Sequence, residues 1–175
     1  MILSVDPGRV KPGISVWKDG NLVSSHYPSF KAKNASLRIL KIWDWLAEQK
    51  SFVPGDVKVV IIESNSIAAG KEIGCFFAGI FSGVGAEIHF VVPYHVAKWA
   101  EGFYNIELLG IPRNLKKKRT KELMEILTDR ENLTFDESDS ILNYFYWHHV
   151  KNQLHHRDHK PKSNHPHQPV PGIPL

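Results

Sequence analysis

A chain of 175 residues with 42 % hydrophobic side chains is long enough for one domain with a true core, and too apolar overall to be disordered. Its formal charge of +4 excludes a uniformly basic coat: +3 of it falls from Lys151 onward, so residues 1–150 are nearly neutral and any nucleic-acid surface is local. The single cysteine, Cys75, excludes an intrachain disulfide and argues against a thiolate zinc site.

In chain order, Ile2 to Asp6 reads as a short buried strand that ends in the turn Asp6-Pro7-Gly8. Gly13–Trp17 and Leu22–His26 read as two further strands, joined through Lys18-Asp19-Gly20-Asn21, where Asp-Gly suits a tight hairpin. From Asn34 to about Lys50 the period becomes helical, with Ile39, Ile42, Trp43 and Leu46 on one side and Asn34 as the cap. Val57 to Glu63 is a nearly unbroken β-branched run, suited to a central strand covered on both faces. A helix is predicted over 70–81, a strand over 87–92, and helices over 94–101, 114–127 and 135–150. Residues 151–175 carry five histidines and five prolines and are expected to form a disordered basic tail behind a folded unit of residues 1–150. The N-terminus lacks a basic region followed by an apolar run. The most apolar window, Ile73 to Val92, contains Glu87, His89 and four glycines, so a soluble, cytoplasmic protein without a membrane span is expected. Hairpin strands first, then strands alternating with helices, indicate a mixed sheet flanked by helices.

The residues that look chemical are acids. Asp6 ends the first strand, Glu63 ends the β-branched run, and Asp136 and Asp139 open the last helix at a spacing that places both on one face, which Asn143 extends. Each has a bland alternative. Asp-Pro-Gly is an ordinary turn, Glu63 at a strand end can face water, and Thr134 with Glu137 makes a capping box. Together, however, four carboxylates brought to one place repel each other unless cations sit between them. Oxygen-only ligands select hard ions such as Mg²⁺ or Mn²⁺, and a pair of these can clamp the attacking and leaving oxygens of a phosphodiester.

These motifs, V-D-P-G with Gly13 following, I-I-E-S, and D-E-S-D at a helix start, resemble those of the RuvC-type Holliday junction resolvases. The resemblance implies the RNase H-like fold, a five-stranded sheet with a three-strand antiparallel meander plus parallel strands. It also implies two Mg²⁺ ions held by Asp6, Glu63, Asp136 and Asp139, with no organic cofactor. The expected substrate is a four-way DNA junction, cut by a homodimer. The chain departs from the family in carrying Glu137 and Ser138 between its helical acids, so Glu137 is a possible extra ligand. Where the family wedges a side chain into the junction centre, this chain offers Ile67.

Arg113 to Lys121 holds six basic residues in nine. It reads either as a solvated helix face or as a set of phosphate contacts giving salt-sensitive affinity. Arg113, Lys116, Lys117, Lys118 and Lys121 are the expected DNA contacts. On a helical wheel the last three point away from Leu123, Ile126 and Leu127, and Lys118 matches a family lysine near the scissile phosphate, with Lys117 almost as well placed. Gly70, Gly74, Ala78 and Ser82 form a stripe of small residues that suits packing against the chain's own sheet or, as the resemblance favours, a two-fold dimer seam. The histidines near the C-terminus straddle a helix end and a proline-rich segment and imply no fixed metal geometry. Two other functions fit parts of the pattern: an RNase H-like nuclease acting on RNA, of the pre-rRNA-processing type, and a nucleic-acid-binding module without catalysis. An actin-like ATPase needs two such domains, and the chain is too short for them.

Overall fold

The computed structural model describes residues 1–8, 10–64 and 68–158. Strands β1 (Ile2–Asp6), β2 (Gly13–Lys18) and β3 (Asn21–His26) form the meander, and Asp19 and Gly20 both take positive φ at the first hairpin, as its two-residue turn requires. Helix α1 (Ala35–Glu48) starts where Asn34 accepts a hydrogen bond from the Leu37 N–H at 3.0 Å. There follow β4 (Val59–Glu63), α2 (Ala68–Gly83), β5 (Glu87–Val91), α3 (Pro93–Tyr104), α4 (Arg113–Thr128) and α5 (Phe135–Asp158). The sheet order is β3-β2-β1-β4-β5, with β1 antiparallel to β2 and parallel to β4.

Alternation along the strands sends successive side chains to two separate cores. Leu3, Val5, Val60 and Ile62 face α1 and α2, where Ile42, Ile73, Phe77 and Phe81 close the first core. Val59 and Ile61 face the other helices, and Ile141, Leu142, Met124 and Ala97 close the second. Trp17 anchors that side by stacking on Tyr144, with ring centroids 3.7 Å apart. The β-branched run of β4 is therefore buried on both faces, as its composition predicts.

Three helices differ from their expected readings. The buried stripe of α4 runs through Thr120 and Met124, while Ile126 is 78 % exposed and Leu127 is exposed as well. The helix is rotated from the wheel reading, and Lys117, one turn before Thr120, shares its inner face. On α2, Gly70 and Gly74 are buried; a Cβ on Gly74 would lie 3.2 Å from Ile62 and 3.5 Å from Pro7. Gly74 thus lies against β4 and the turn after β1, while Ala78 is half-buried and Ser82 exposed. Helix α5 continues eight residues past Val150 to Asp158, with the Lys151 ammonium over the Trp147 ring; residues 159–175 lie outside the described residues. Among the described residues no helix is long and apolar enough to cross a membrane.

Candidate active site

Parallel strands β1 and β4 are in register at Val5 and Ile62, so the next residues, Asp6 and Glu63, leave the sheet side by side at its C-terminal edge. Helix α5 delivers the other two acids. Its first turn is fixed by a capping box. Thr134 donates from its N–H and hydroxyl to Oε2 of Glu137 at 2.9 and 2.8 Å, and the Glu137 N–H donates back to Thr134 Oγ1 at 3.2 Å. Glu137 is thereby engaged as a cap and is not among the carboxylates that converge with Asp6.

What lets α5 come so close is Gly13. It is the direct cross-strand partner of Asp6, and a Cβ there would lie 1.8 Å from the Asp136 carbonyl oxygen. Only a residue without a side chain allows the helix backbone to lie on the strand at this point. As a result Asp6, Asp136 and Asp139 offer carboxylate oxygens that all fall within 4.8 Å of one another. Glu63 stands beside this trio and accepts from Nδ2 of Asn143 at 3.4 Å.

Burial and mutual repulsion disfavour the ionised forms. Burial first, then Glu63 and Asp139, push the Asp6 carboxyl well above its ordinary value. Burial and Asp139 push Glu63 up to about 7. Asp139 is raised by burial against the opposing pull of Lys117. Lys117 supplies the local counter-charge, with its Nζ 2.7 Å from Asp136 Oδ1 and 3.1 Å from Asp139 Oδ2. Burial alone would lower its ammonium, but the two aspartates outweigh it and hold the group above the usual lysine range.

Arg113 and Lys116 line the same cleft together with Lys117, whereas Lys118 is 68 % exposed and pairs with Glu122 on its own helix. The lysine against the acids is thus Lys117 and not Lys118, a consequence of the rotation of α4. Lys121 lies on an adjoining cavity that shares Lys117 and Asp136 with the first. Ile67, the expected junction wedge, lies outside the described residues. Tyr27, for which the sequence carries no signal, lines the adjoining cavity; burial and then Asp136 raise its phenol above the ordinary tyrosine value.

The donor set suits a hard divalent cation. It consists of carboxylate oxygens, that of Asp6 buried and those of Asp136 and Asp139 half-buried, and Oδ1 of Asn143 is a further buried oxygen with no partner among the described residues. No ligand of the set is nitrogen or sulfur.

No family model matches the chain, and no curated protein sequence matches it. The architecture is nonetheless that of the RNase H-like α/β class, a mixed five-stranded sheet with helices on both faces. Within that class the fold is RuvC-like. It matches Thermus thermophilus RuvC with a TM-score of 0.60 at 12 % identity, over 86 % of this chain and 96 % of that one. It also matches RuvC of the same organism in complex with Holliday junction substrate, with a TM-score of 0.59 at 11 % identity, over 86 % and 95 %. At such identity the likeness establishes the fold, and the site has to be argued from its own residues.

Proposed function

We propose that the chain is a structure-selective DNA endonuclease that cuts four-way or otherwise branched DNA by phosphodiester hydrolysis with two Mg²⁺ ions, for which Mn²⁺ can substitute. The observation that carries this reading is the convergence of Asp6, Asp136 and Asp139 on a point that one cation can reach, at the edge of a RuvC-like sheet. The junction-bound Thermus thermophilus RuvC supports the choice of substrate. When bound, two such ions would stabilise charge on the attacking and leaving oxygens of the phosphodiester. Asp6 sits between the groups that would hold them, Glu63 on one side and Asp136 with Asp139 on the other. Lys117 offers its ammonium to the scissile phosphate, and Arg113 and Lys116 hold the flanking phosphates by charge alone. Junctions are close to two-fold symmetric, so paired cuts call for a homodimer, with the outer side of α2 around Ala78 and Ser82 as its seam.

The test is incubation of the protein with a synthetic four-way junction and Mg²⁺, beside linear duplex and a structured RNA. Cutting of the junction alone is expected. Cutting of the RNA alone would replace this reading with a pre-rRNA-type nuclease, and binding without cutting would replace it with a binding module.

The two neighbouring lysines give a sharper contrast. Lys117→Ala is expected to lower the rate of junction cutting by roughly 10²-fold, the cost of losing one charge-stabilising donor. Lys118→Ala, which breaks only an exposed pair with Glu122, should stay within about twofold. Single-turnover rates at saturating enzyme measure both, and equal losses would show that Lys117 acts only through the general field of the helix.

A further inference from the structure

We propose that Tyr27 and Phe135 form a stacking platform for an unpaired nucleobase of the DNA strand next to the scissile phosphate. The proposal rests on the nuclease reading above and names the feature of the substrate that the site selects. Both rings line the cavity that adjoins the acid cluster, and that cavity shares Lys117 and Asp136 with it, so the two form one continuous surface. Phe135 is 46 % exposed, although it stands at the first position of α5 immediately before the metal-ligating Asp136. Tyr27 is 38 % exposed on the segment that leaves β3. Neither exposure serves the cores, which are closed by other side chains.

The surroundings match a nucleotide. Lys121 lines the same cavity, and the Lys11 ammonium stands 5.4 Å from the Tyr27 ring centroid, over one face of it. Aromatic faces interleaved with cations at this spacing bind single-stranded nucleic acid by stacking the base and holding the phosphate. A base inside intact duplex is already stacked on its neighbours and cannot reach two protein rings, so the platform favours a strand opened at a branch point. The selection of branched over linear DNA then comes in part from the catalytic domain itself and not solely from dimer geometry.

The test uses the whole chain with Ca²⁺ in place of Mg²⁺, so that binding is read without cutting. The probes are a single-stranded DNA oligonucleotide carrying 2-aminopurine, its RNA counterpart and a blunt DNA duplex. Tyr27→Leu and Phe135→Leu together should weaken binding of the single-stranded DNA by roughly tenfold or more and abolish the change in 2-aminopurine fluorescence, while the salt slope stays unchanged. Duplex affinity should move by less than about twofold. Tyr27→Phe, which keeps the ring, should bind like the wild type, and Lys121→Ala should flatten the salt slope by about one unit. Both positions are substantially exposed, and unchanged near-ultraviolet circular dichroism checks that the variants fold. Single-strand binding within about twofold of wild type in the double variant would overturn the platform, as would an equal loss on duplex. Tighter, ring-dependent binding of the RNA strand would overturn its assignment to DNA. A junction that is never cut would sink the nuclease reading and leave ring-dependent stacking intact, whereas cutting with no ring dependence would do the reverse.

Discussion

Asp6→Asn is expected to abolish cleavage and, in the same preparation, to make the metal-free protein more stable. The first half follows from position, since the Asp6 carboxylate meets those of Asp136 and Asp139 within 4.8 Å and also faces Glu63. We expect a loss of roughly 10³-fold or more, about 4 kcal/mol of transition-state stabilisation. The second half follows from charge. Asp6 is 5 % exposed and faces Glu63, Asp139 and Asp136, so its ionised form is a cost that the fold carries. Replacing it by a neutral amide of the same shape should raise stability by about 1–3 kcal/mol, several degrees in thermal midpoint for a domain of this size.

The same repulsion gives a pH dependence of definite sign. Glu63 is raised to about 7 in the folded protein from an ordinary 4.5, so the penalty for ionising it is complete above 7 and fades as pH falls toward 4.5. In EDTA the midpoint of the wild type should therefore rise as pH is lowered from 8 to 6. Mg²⁺ should flatten that rise by neutralising the cluster at high pH. Differential scanning calorimetry of both proteins with and without Mg²⁺ reads all of this. Equal stabilisation of the wild type and Asp6→Asn by Mg²⁺ would show that the ion sits elsewhere.

Gly13→Ala, at a residue with no functional group, is expected to cripple the site nearly as badly. Contacts below 3.0 Å are essentially never made by a real Cβ, yet one here would lie 1.8 Å from the Asp136 carbonyl oxygen and 2.5 Å from the Glu137 nitrogen. Both are backbone atoms and cannot swing aside, so the start of α5 must retreat by roughly an ångström. Overpacking of this kind costs about 1–3 kcal/mol of stability. A shift of that size in catalytic groups costs about 10²-fold in rate. Since Asp136 and Asp139 would move together while Asp6 and Glu63 stay on the sheet, Mg²⁺ affinity should fall with the rate. Isothermal titration with Mg²⁺ and a cleavage assay are the checks, and a variant with wild-type values in both would show that α5 does not depend on this contact.

Much of the site could be read from the sequence because its acids sit at element ends, where local signals are strong. Asp6 and Glu63 end buried apolar strands, and Thr134 and Glu137 mark the start of α5 through a capping box that the structure forms. What could not be read depends on rotation and depth. Helix α4 offers Leu123, Ile126 and Leu127 as an apolar face, yet it buries Thr120 and Met124, because the neighbouring α5 and the sheet decide which side is inward. That rotation exchanges the roles of Lys117 and Lys118. The small residues of α2 have the same pattern whether they meet a sheet or a second chain, and the contact of Gly74 with Ile62 and Pro7 is a tertiary fact. The end of α5 is not legible because a segment rich in polar residues and histidine carries little helical periodicity, while Lys151 over Trp147 ties the next turn down.

The acids come from residue 6, residue 63 and residues 136–139, and they meet only when α5 lies across β1, β2 and β4. During synthesis, a chain that has reached Thr134 already owns both strand acids, the basic residues of α4 and all five strands of the sheet. It lacks Asp136 and Asp139, half of the proposed metal-binding carboxylates. If the proposed nuclease reading holds, that activity is the last property the nascent protein acquires, and chains that end before α5 would lack it.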